Sequence, residues 1–349
     1  MLTDRSLSVV VTCYRDEGSV RELLRRLVPV LERITPDWEV IYVNDDSPDN
    51  AEAVLLEEAR REPRLTVISH ARNFGAQVAF TTGLAQARGD AVVIMDGDLQ
   101  DPPELIETFA RKWLAGYDVV YGIRAKRREV WYRNLGYKAF YRIFHKISYI
   151  RIPLDAGEFS LMDRVVVDVV LHAPERDRLI RGLRAYAGFH QTGVPFERPE
   201  RFAGESTQGF LDYLMWAYKS FVSYSLFPLR LITSVAFLMA GFTLLVLVFN
   251  LVGYFASLFL GKERPPGYMT TITVLLLLGT TMMLALGVIG EYLGRLFLEI
   301  KNRPQPVLRG LVNDHRSQPL HWHGRTGQPR SVPAPAGEAA PPPQGRTTP

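Results

Sequence analysis

Residues 91–106 read AVVIMDGDLQDPPELI. The apolar run Ala91–Met95 passes without a polar interruption straight into Asp96. Such a run marks a strand buried on both faces, as in a parallel sheet, rather than a strand with one wet side. Behind it, Asp101 can cap a helix, Pro102 suits a first turn and Glu104 completes a capping-box pattern, so a helix is expected over about residues 101–116.

The same alternation extends outward in both directions. LSVVVTCY (7–14), WEVIYVND (38–45), LTVISH (65–70) and YDVVYGIR (117–124) read as strands. SVRELLRRLVPVLERI (19–34), a segment ending near Arg61 and QVAFTTGLAQAR (77–88) read as helices. Strands alternating with helices give a mainly parallel sheet covered by helices, an α/β domain. Ligands of such sheets bind beyond the carboxyl ends of the strands, which is where the chemistry is expected.

Asp96 and Asp98 stand at such an end, separated by Gly97. Residues i and i+2 of an extended segment point the same way, so both carboxylates can face one cation. Oxygen ligands with room left for phosphate suit Mg²⁺ or Mn²⁺, and Gln100 adds another oxygen. A second acidic cluster, NDDSPDN (44–50), follows the second strand. There Asp45 either accepts bonds from a base or ribose or serves the turn that Asn, Asp, Ser and Pro favour. No G-x-G-x-x-G follows the first strand and no Walker sequence occurs, so a bound diphosphate would need a metal to neutralise it.

Composition narrows the class. With 47% apolar and 22% charged residues the chain is not disordered throughout, and the single Cys13 excludes an intramolecular disulfide framework and a Cys-rich zinc site. The net charge of +4 is carried by residues 301–349, with seven Lys/Arg against two Asp/Glu, and the first 300 residues sum to −1. A nucleic-acid partner is therefore not expected.

Two apolar runs follow, Leu231–Gly261 and Pro265–Gly290, separated by Lys262, Glu263 and Arg264. Each is long enough for a bilayer core, and a soluble helix rarely stays apolar all round for that length. They read as a transmembrane hairpin over residues 226–300, with spans at about 231–261 and 266–290. Arg230 precedes it and Arg295, Lys301, Arg303 and Arg309 follow, which puts both chain ends in the cytoplasm. The N-terminal apolar stretch is too short for a signal peptide. In residues 129–150, Tyr137, Phe140, Tyr141 and Phe144 recur at helical spacing with Lys138, Arg142 and Lys146 on another face, the pattern of a helix lying in the membrane interface. A second such stretch covers about 209–228. Arg124, Arg198 and Arg201 lie near these segments as cations for a lipid phosphate. Ten of the 23 prolines fall after residue 303, and residues 301–349 read as a disordered, basic, Pro-rich tail.

Taken in order, RNFGAQVAFTTGLAQARGD (72–90), MDGDLQDPPELI (95–106), YDVVYGIRAKR (117–127), LDAGEF (154–159), RFAGES (201–206), FPLR (227–230) and GVIGEYLGRLFLEIKNRP (287–304) resemble the family-2 glycosyltransferases that charge a polyprenyl phosphate with a sugar. These include dolichol-phosphate mannose synthases and the bacterial enzymes that make undecaprenyl-phosphate sugars. The resemblance spans about Ser8 to Leu308. It implies a GT-A, Rossmann-like catalytic domain over residues 1–225 and a nucleotide-sugar donor, with a UDP-sugar such as UDP-glucose expected. It also implies a bacterial inner membrane location with the catalytic domain cytoplasmic, and a homo-oligomer. Asp96, Asp98 and Gln100 would form the metal and diphosphate site, with Gly97 between them. Thr12, Tyr14, Glu17 and Asp45 would line base and ribose. Arg124, Lys138 and Arg201 would hold the acceptor phosphate, and Asp155 would sit at the reacting centre.

The chain departs from the family pattern at Thr12 and Arg15, at Asn44 and Asp46, at Ser160 and at Thr207. These positions surround the donor base and the acceptor. Two alternatives stay open. A processive polysaccharide synthase usually carries Q-x-x-R-W, and no Arg-Trp pair occurs here. A non-catalytic membrane scaffold that keeps the fold is the other.

Overall fold

The computed structural model describes residues 1–124, 156–199, 227–260, 267–301 and 303–314. Val9 and Val11 pack into one apolar cluster and Val10 into another, and all three are fully buried. That is the consequence of a strand apolar on both faces: it must be central and covered on both sides.

The elements run β1 (Leu7–Cys13), α1 (Glu17–Ile34), β2 (Trp38–Asn44), α2 (Ala51–Arg61), β3 (Leu65–His70), α3 (Ala76–Gln86), β4 (Ala91–Asp96), α4 (Leu105–Leu114), β5 (Val119–Arg124), β6 (Ala156–Asp163), α5 (Arg164–His172), α6 (Ile180–Ala187), β7 (Gln191–Phe196), α7 (Phe227–Leu260), α8 (Tyr268–Lys301) and β8 (Leu308–Val312). One sheet has the order β7-β5-β6-β4-β1-β2-β3-β8. β4-β1-β2-β3 are parallel, β6 runs antiparallel between β4 and β5, and β7 is parallel to β5. The result is the mainly parallel, mixed α/β sheet of a GT-A-like fold.

The two clusters form the two helix layers. On one side Leu23, Leu27, Leu31, Leu55, Phe109 and Trp113 of α1, α2 and α4 cover Val9, Val11 and Val93. On the other, Phe80 and Leu84 of α3, Val166 of α5 and Ile180 of α6 cover Val10, Ile41 and Ile94. Truncating the fully buried Phe80 to alanine would cost about 3–5 kcal/mol.

Three expectations are revised. The tail does not begin at residue 301. After α8 the chain returns to the sheet, and β8 pairs antiparallel with β3, Leu308 opposite His70 and Val312 opposite Val67. An edge strand asks for one partner and little apolar surface, so a short strand forms within a Pro-rich, basic stretch. Residues from 315 onward lie outside the described ones. The second apolar helix runs on past residue 290 to Lys301. Among the described residues one segment, Val274–Lys301, is long and apolar enough to cross a membrane, while Leu231–Val246 in α7 is apolar but shorter. Finally, α4 starts at Leu105, after both prolines, and no side chain caps it. The interface helices expected at 129–150 and 209–228 lie outside the described residues, apart from Phe227 and Pro228, which open α7.

Candidate active site

β1, β2 and β4 end side by side. Their register sets Thr12 opposite Asp96 and Cys13 opposite Asn44, so Tyr14, Asp45 and the Asp96–Asp101 turn meet at one rim. β5 is parallel to them through β6, and it delivers Arg124 to the same rim. β7, parallel to β5, delivers the residues after Phe196 there too.

The turn after β4 is held tightly. Gly97 N donates to Thr12 O at 3.0 Å. A β-carbon on Gly97 would fall 2.6 Å from that same Thr12 oxygen and 3.3 Å from the Tyr42 hydroxyl. Glycine is therefore required between the two aspartates by space. Asp98 Oδ1 accepts from Gln100 N at 3.0 Å, and Asp101 Oδ2 accepts from Asp96 N at 3.2 Å. Asp101 thus closes the turn instead of capping α4.

Asp98 and Asp101 are buried and Asp96 is half-buried. Burial first, and then the neighbouring Asp98 charge, push the Asp96 carboxyl up to about 6, while Arg198 and Arg124 oppose the rise. Burial and the Asp96 charge push Asp101 up to about 7, against the Asp96 N–H bond and the same two arginines. Carboxylates crowded in this way are short of positive charge. Arg198 Nη2 stands 3.9 Å from Asp98 Oδ2, and Gln100 Nε2 donates to Pro199 O at 3.4 Å. The segment after β7 is therefore seated on the acidic turn.

This donor set fits a hard divalent cation. Asp96 and Asp98 offer carboxylate oxygens, and Asp101 Oδ1 is buried with no hydrogen-bond partner among the described residues. No cluster of three or more His, Cys, Asp or Glu side chains suited to a metal occurs among the described residues. A cation held by two carboxylates and completed by water and substrate phosphate matches the habit of Mg²⁺ and serves Mn²⁺ equally, whereas an all-protein cage is not built here.

The donor-side residues assemble around a buried hub. Asp45 Oδ1 contacts His70 Nδ1 at 2.7 Å and accepts from Phe74 N at 2.8 Å, and Oδ2 accepts from Gly75 N at 2.7 Å. Gly75 takes a φ of 93°, a left-handed entry to α3 that suits glycine. Asp45 thus holds residues 70–75 beneath the rim, a role beyond the 44–50 turn itself. Thr12 is nearly buried beside Asp96, while Tyr14 is exposed at the rim. Glu17 and the 44–50 loop bind each other: Glu17 N donates to Asp49 Oδ2 at 2.9 Å and Asn50 N to Glu17 Oε2 at 3.2 Å.

Asp155, Lys138 and Arg201 lie outside the described residues. Of the acceptor set, Arg124 reaches the rim, next to Asp96 and Asp101. Glu158, also near Asp96, accepts from Gln77 Nε2 at 3.1 Å and Arg181 N at 3.2 Å. Sequence reasoning assigned no site role to Asp101 or His70, and it offered Arg198 only as a cation for a lipid phosphate, whereas the structure sets it against Asp98. Asp101 carried a helix-start signal that the backbone N–H of Asp96, five residues earlier in the same turn, overrode.

The family model of glycosyl transferase family 2 matches residues 8–171. An uncharacterized glycosyltransferase of Synechocystis sp. is 38% identical over 299 residues, 85% of this chain and 93% of that one. An uncharacterized glycosyltransferase of Bacillus subtilis is 38% identical over 303 residues, 86% and 93% of the two chains. A prophage-derived bactoprenol glucosyl transferase of Shigella flexneri is 32% identical over 316 residues, 90% and 99% of the two chains.

Proposed function

The chain belongs to glycosyl transferase family 2, and we propose that it moves one sugar from a nucleotide sugar, UDP-glucose or a related UDP-sugar, to undecaprenyl phosphate, inverting the anomeric centre. The observation that carries this is the pair Asp96 and Asp98 at the sheet rim, strand-paired to Thr12 and faced by Arg198. The name of the Shigella flexneri relative supports the lipid acceptor and the glucosyl group.

Asp96 and Asp98, with Gln100 beside them, would hold the Mg²⁺ or Mn²⁺ ion. Bound there, the cation supplies Lewis-acid neutralisation of the departing diphosphate. Arg198 and Arg124 add positive charge at the same rim. Thr12, Tyr14 and Glu17 face base and ribose, above the hub that Asp45 holds in place. Arg124, Lys138 and Arg201 bind the acceptor phosphate and offset its repulsion from the donor. A phosphomonoester has its second pKa near about 6, so the acceptor is largely dianionic at neutral pH. Its oxygen attacks the anomeric carbon as the bond to the diphosphate breaks, with no strong general base. Asp155 orients the donor sugar.

The membrane assignment is part of the same proposal. Phe237, Phe249 and Leu276 are 76%, 76% and 67% exposed on α7 and α8, and an apolar surface of this kind calls for a lipid or protein cover. β8 follows both helices yet pairs in the same sheet as β1–β5. A single crossing would strand β8 on the opposite side from its partner β3, which supports a hairpin that returns the chain to the side it left. Two crossings by α7 and α8, with the catalytic sheet in the cytoplasm, would form it. At the exit, Glu299 accepts from Arg176 N at 3.1 Å, which supports the last turns of α8 emerging beside the catalytic domain.

The test is purified protein offered a panel of nucleotide sugars with undecaprenyl phosphate and Mg²⁺ or Mn²⁺, the lipid product read by mass. One hexose added to the lipid is expected. A polymer would establish the processive synthase, and no transfer or hydrolysis from any donor would establish the scaffold.

A further inference from the structure

We propose that Arg309, on the strand that follows both apolar helices, is a positioning residue for the nucleoside half of the donor site. The inference rests on the donor-site reading above and adds a structural member to it.

β8 is antiparallel to β3, so its first residues lie at the carboxyl rim. There Val307 O accepts from Ala71 N at 2.9 Å, pinning the chain that runs on to Phe74 and Gly75 and their bonds to Asp45. Two residues further, the Arg309 guanidinium forks. Nη1 donates to Asp46 Oδ1 at 3.1 Å and Nη2 to Glu52 Oε2 at 2.6 Å. Its two partners flank the 44–50 loop, one at each end.

That loop needs holding. Asp46 has a φ of 53°, a left-handed conformation that L side chains seldom adopt and that its contacts must hold in place. The loop also carries the geometry of the rim next to it. Ser47 Oγ accepts from Arg15 N at 2.7 Å and donates to Asp49 Oδ1 at 2.5 Å, and Asp49 accepts from Glu17 N. Arg309 thus holds Asp46, and the next residue in the chain, Ser47, carries the polar contacts on to the segment bearing Tyr14 and Glu17.

The far end of β8 fixes where Arg309 falls. Asn313 Nδ2 donates to Ala59 O at 2.7 Å and Leu65 O at 3.0 Å, Thr66 Oγ1 donates to Asn313 O at 2.8 Å, and Gln86 Nε2 donates to Asp314 Oδ1 at 2.6 Å. A strand docked at both ends cannot slide, so the guanidinium is presented to the loop in one register. The nucleoside pocket is then complete after the chain has returned from the apolar helices.

The experiment uses the full chain in lipid nanodiscs, with UDP binding by calorimetry and initial rates with UDP-glucose and undecaprenyl phosphate. Arg309→Ala is expected to weaken UDP binding and raise the donor KM by about fivefold. kcat, the lipid KM and the melting temperature should stay near wild type. Arg309→Lys should recover part of the loss, since an ammonium can meet one carboxylate but not both. If Arg309→Ala lowers the melting temperature, Glu52→Gln, which removes one arm of the fork from outside the loop, should still raise the donor KM. Unchanged UDP binding in both variants overturns the proposal. Tyr14→Ala separates the two levels. If it weakens UDP binding while the Arg309 and Glu52 variants do not, the positioning role falls and the donor site stands. If none of the three alters UDP binding, the donor site lies elsewhere and the proposal falls with it.

Discussion

The Arg198 guanidinium stands 3.9 Å from the Asp98 carboxylate, a fixed positive charge beside the place where a divalent cation and a diphosphate would meet. It arrives from the end of β7, and Gln100 ties the following residue, Pro199, to the acidic turn. An arginine there acts in two ways. In the proposed reaction it would repel a metal ion from the two carboxylates and attract the charge that grows on a leaving diphosphate. Arg198→Ala should therefore bind Mn²⁺ as tightly as the parent or more tightly in the absence of donor, while kcat falls about 100-fold. Mn²⁺ titration by electron paramagnetic resonance, set beside steady-state rates, reads both. A loss of Mn²⁺ affinity in the variant would show that the arginine supports the metal site instead of opposing it.

The pH dependence follows from the two raised carboxyls. Asp96 is pushed up to about 6 and Asp101 to about 7, from an ordinary value of 3.8. Between the ordinary and the raised values the folded chain binds more protons than the unfolded chain. Stability from this cluster is thus fully present in acid and is lost as pH rises through the window from about 4 to 7. A divalent cation competes with the same protons, so its affinity rises with pH over that window. Melting curves from pH 5 to pH 8 should show little stabilisation by Mn²⁺ at the acid end and a growing one toward pH 8. Asp101→Asn should flatten the metal-free slope. Stabilisation by Mn²⁺ that is equal across the range would contradict the burial argument.

How far the sequence carried this picture can be judged from particular residues. β1 to β5 were legible because Val9, Val10 and Val11, or Val92, Val93 and Ile94, are apolar without alternation, and nothing but a doubly covered strand has use for that. Asp96 and Asp98 were legible because they follow such a strand. β8 was not. Five residues, with Leu308, Leu311 and Val312 as their apolar content, carry little pairing information of their own. Their position is set by β3 and by the bonds of the adjoining Asn313 to Ala59, Leu65 and Thr66, partners that are distant in sequence. Asp101 misled for a different reason. Its place before two prolines is a local helix-start signal, and the backbone N–H of Asp96 competed for the carboxylate and won. Asp45 was left between two readings, and its partners His70, Phe74 and Gly75 lie outside the 44–50 turn, a tertiary role that neither reading contained.

Asp98 is the sharpest test of the metal. It is buried at the rim with Oδ1 engaged by Gln100 N, so Asp98→Asn keeps the shape and the accepting oxygen and removes the charge. Transfer should fall by about 1,000-fold or more, since both metal retention and leaving-group stabilisation are lost. The variant should still sediment with membranes, because α7 and α8 are untouched. A variant that keeps full activity in EDTA would end the metal argument.

Gly97 tests the geometry independently of charge. Its N–H donates to Thr12 O at 3.0 Å, and an added β-carbon would meet the same oxygen at 2.6 Å. Backbone cannot yield as a long side chain can, so Gly97→Ala must either break that hydrogen bond or push β1 and β4 apart at their ends. Either response displaces Asp96, the last residue of β4, relative to Asp98 in the turn that follows. The expected cost is about 1–3 kcal/mol in stability, with transfer reduced far more than the lost stability accounts for. Thermal melts and rates measured on the same preparation separate the two. A Gly97→Ala enzyme with wild-type rates would mean that the turn can relax without disturbing its aspartates, and that their spacing is not set by contact with Thr12.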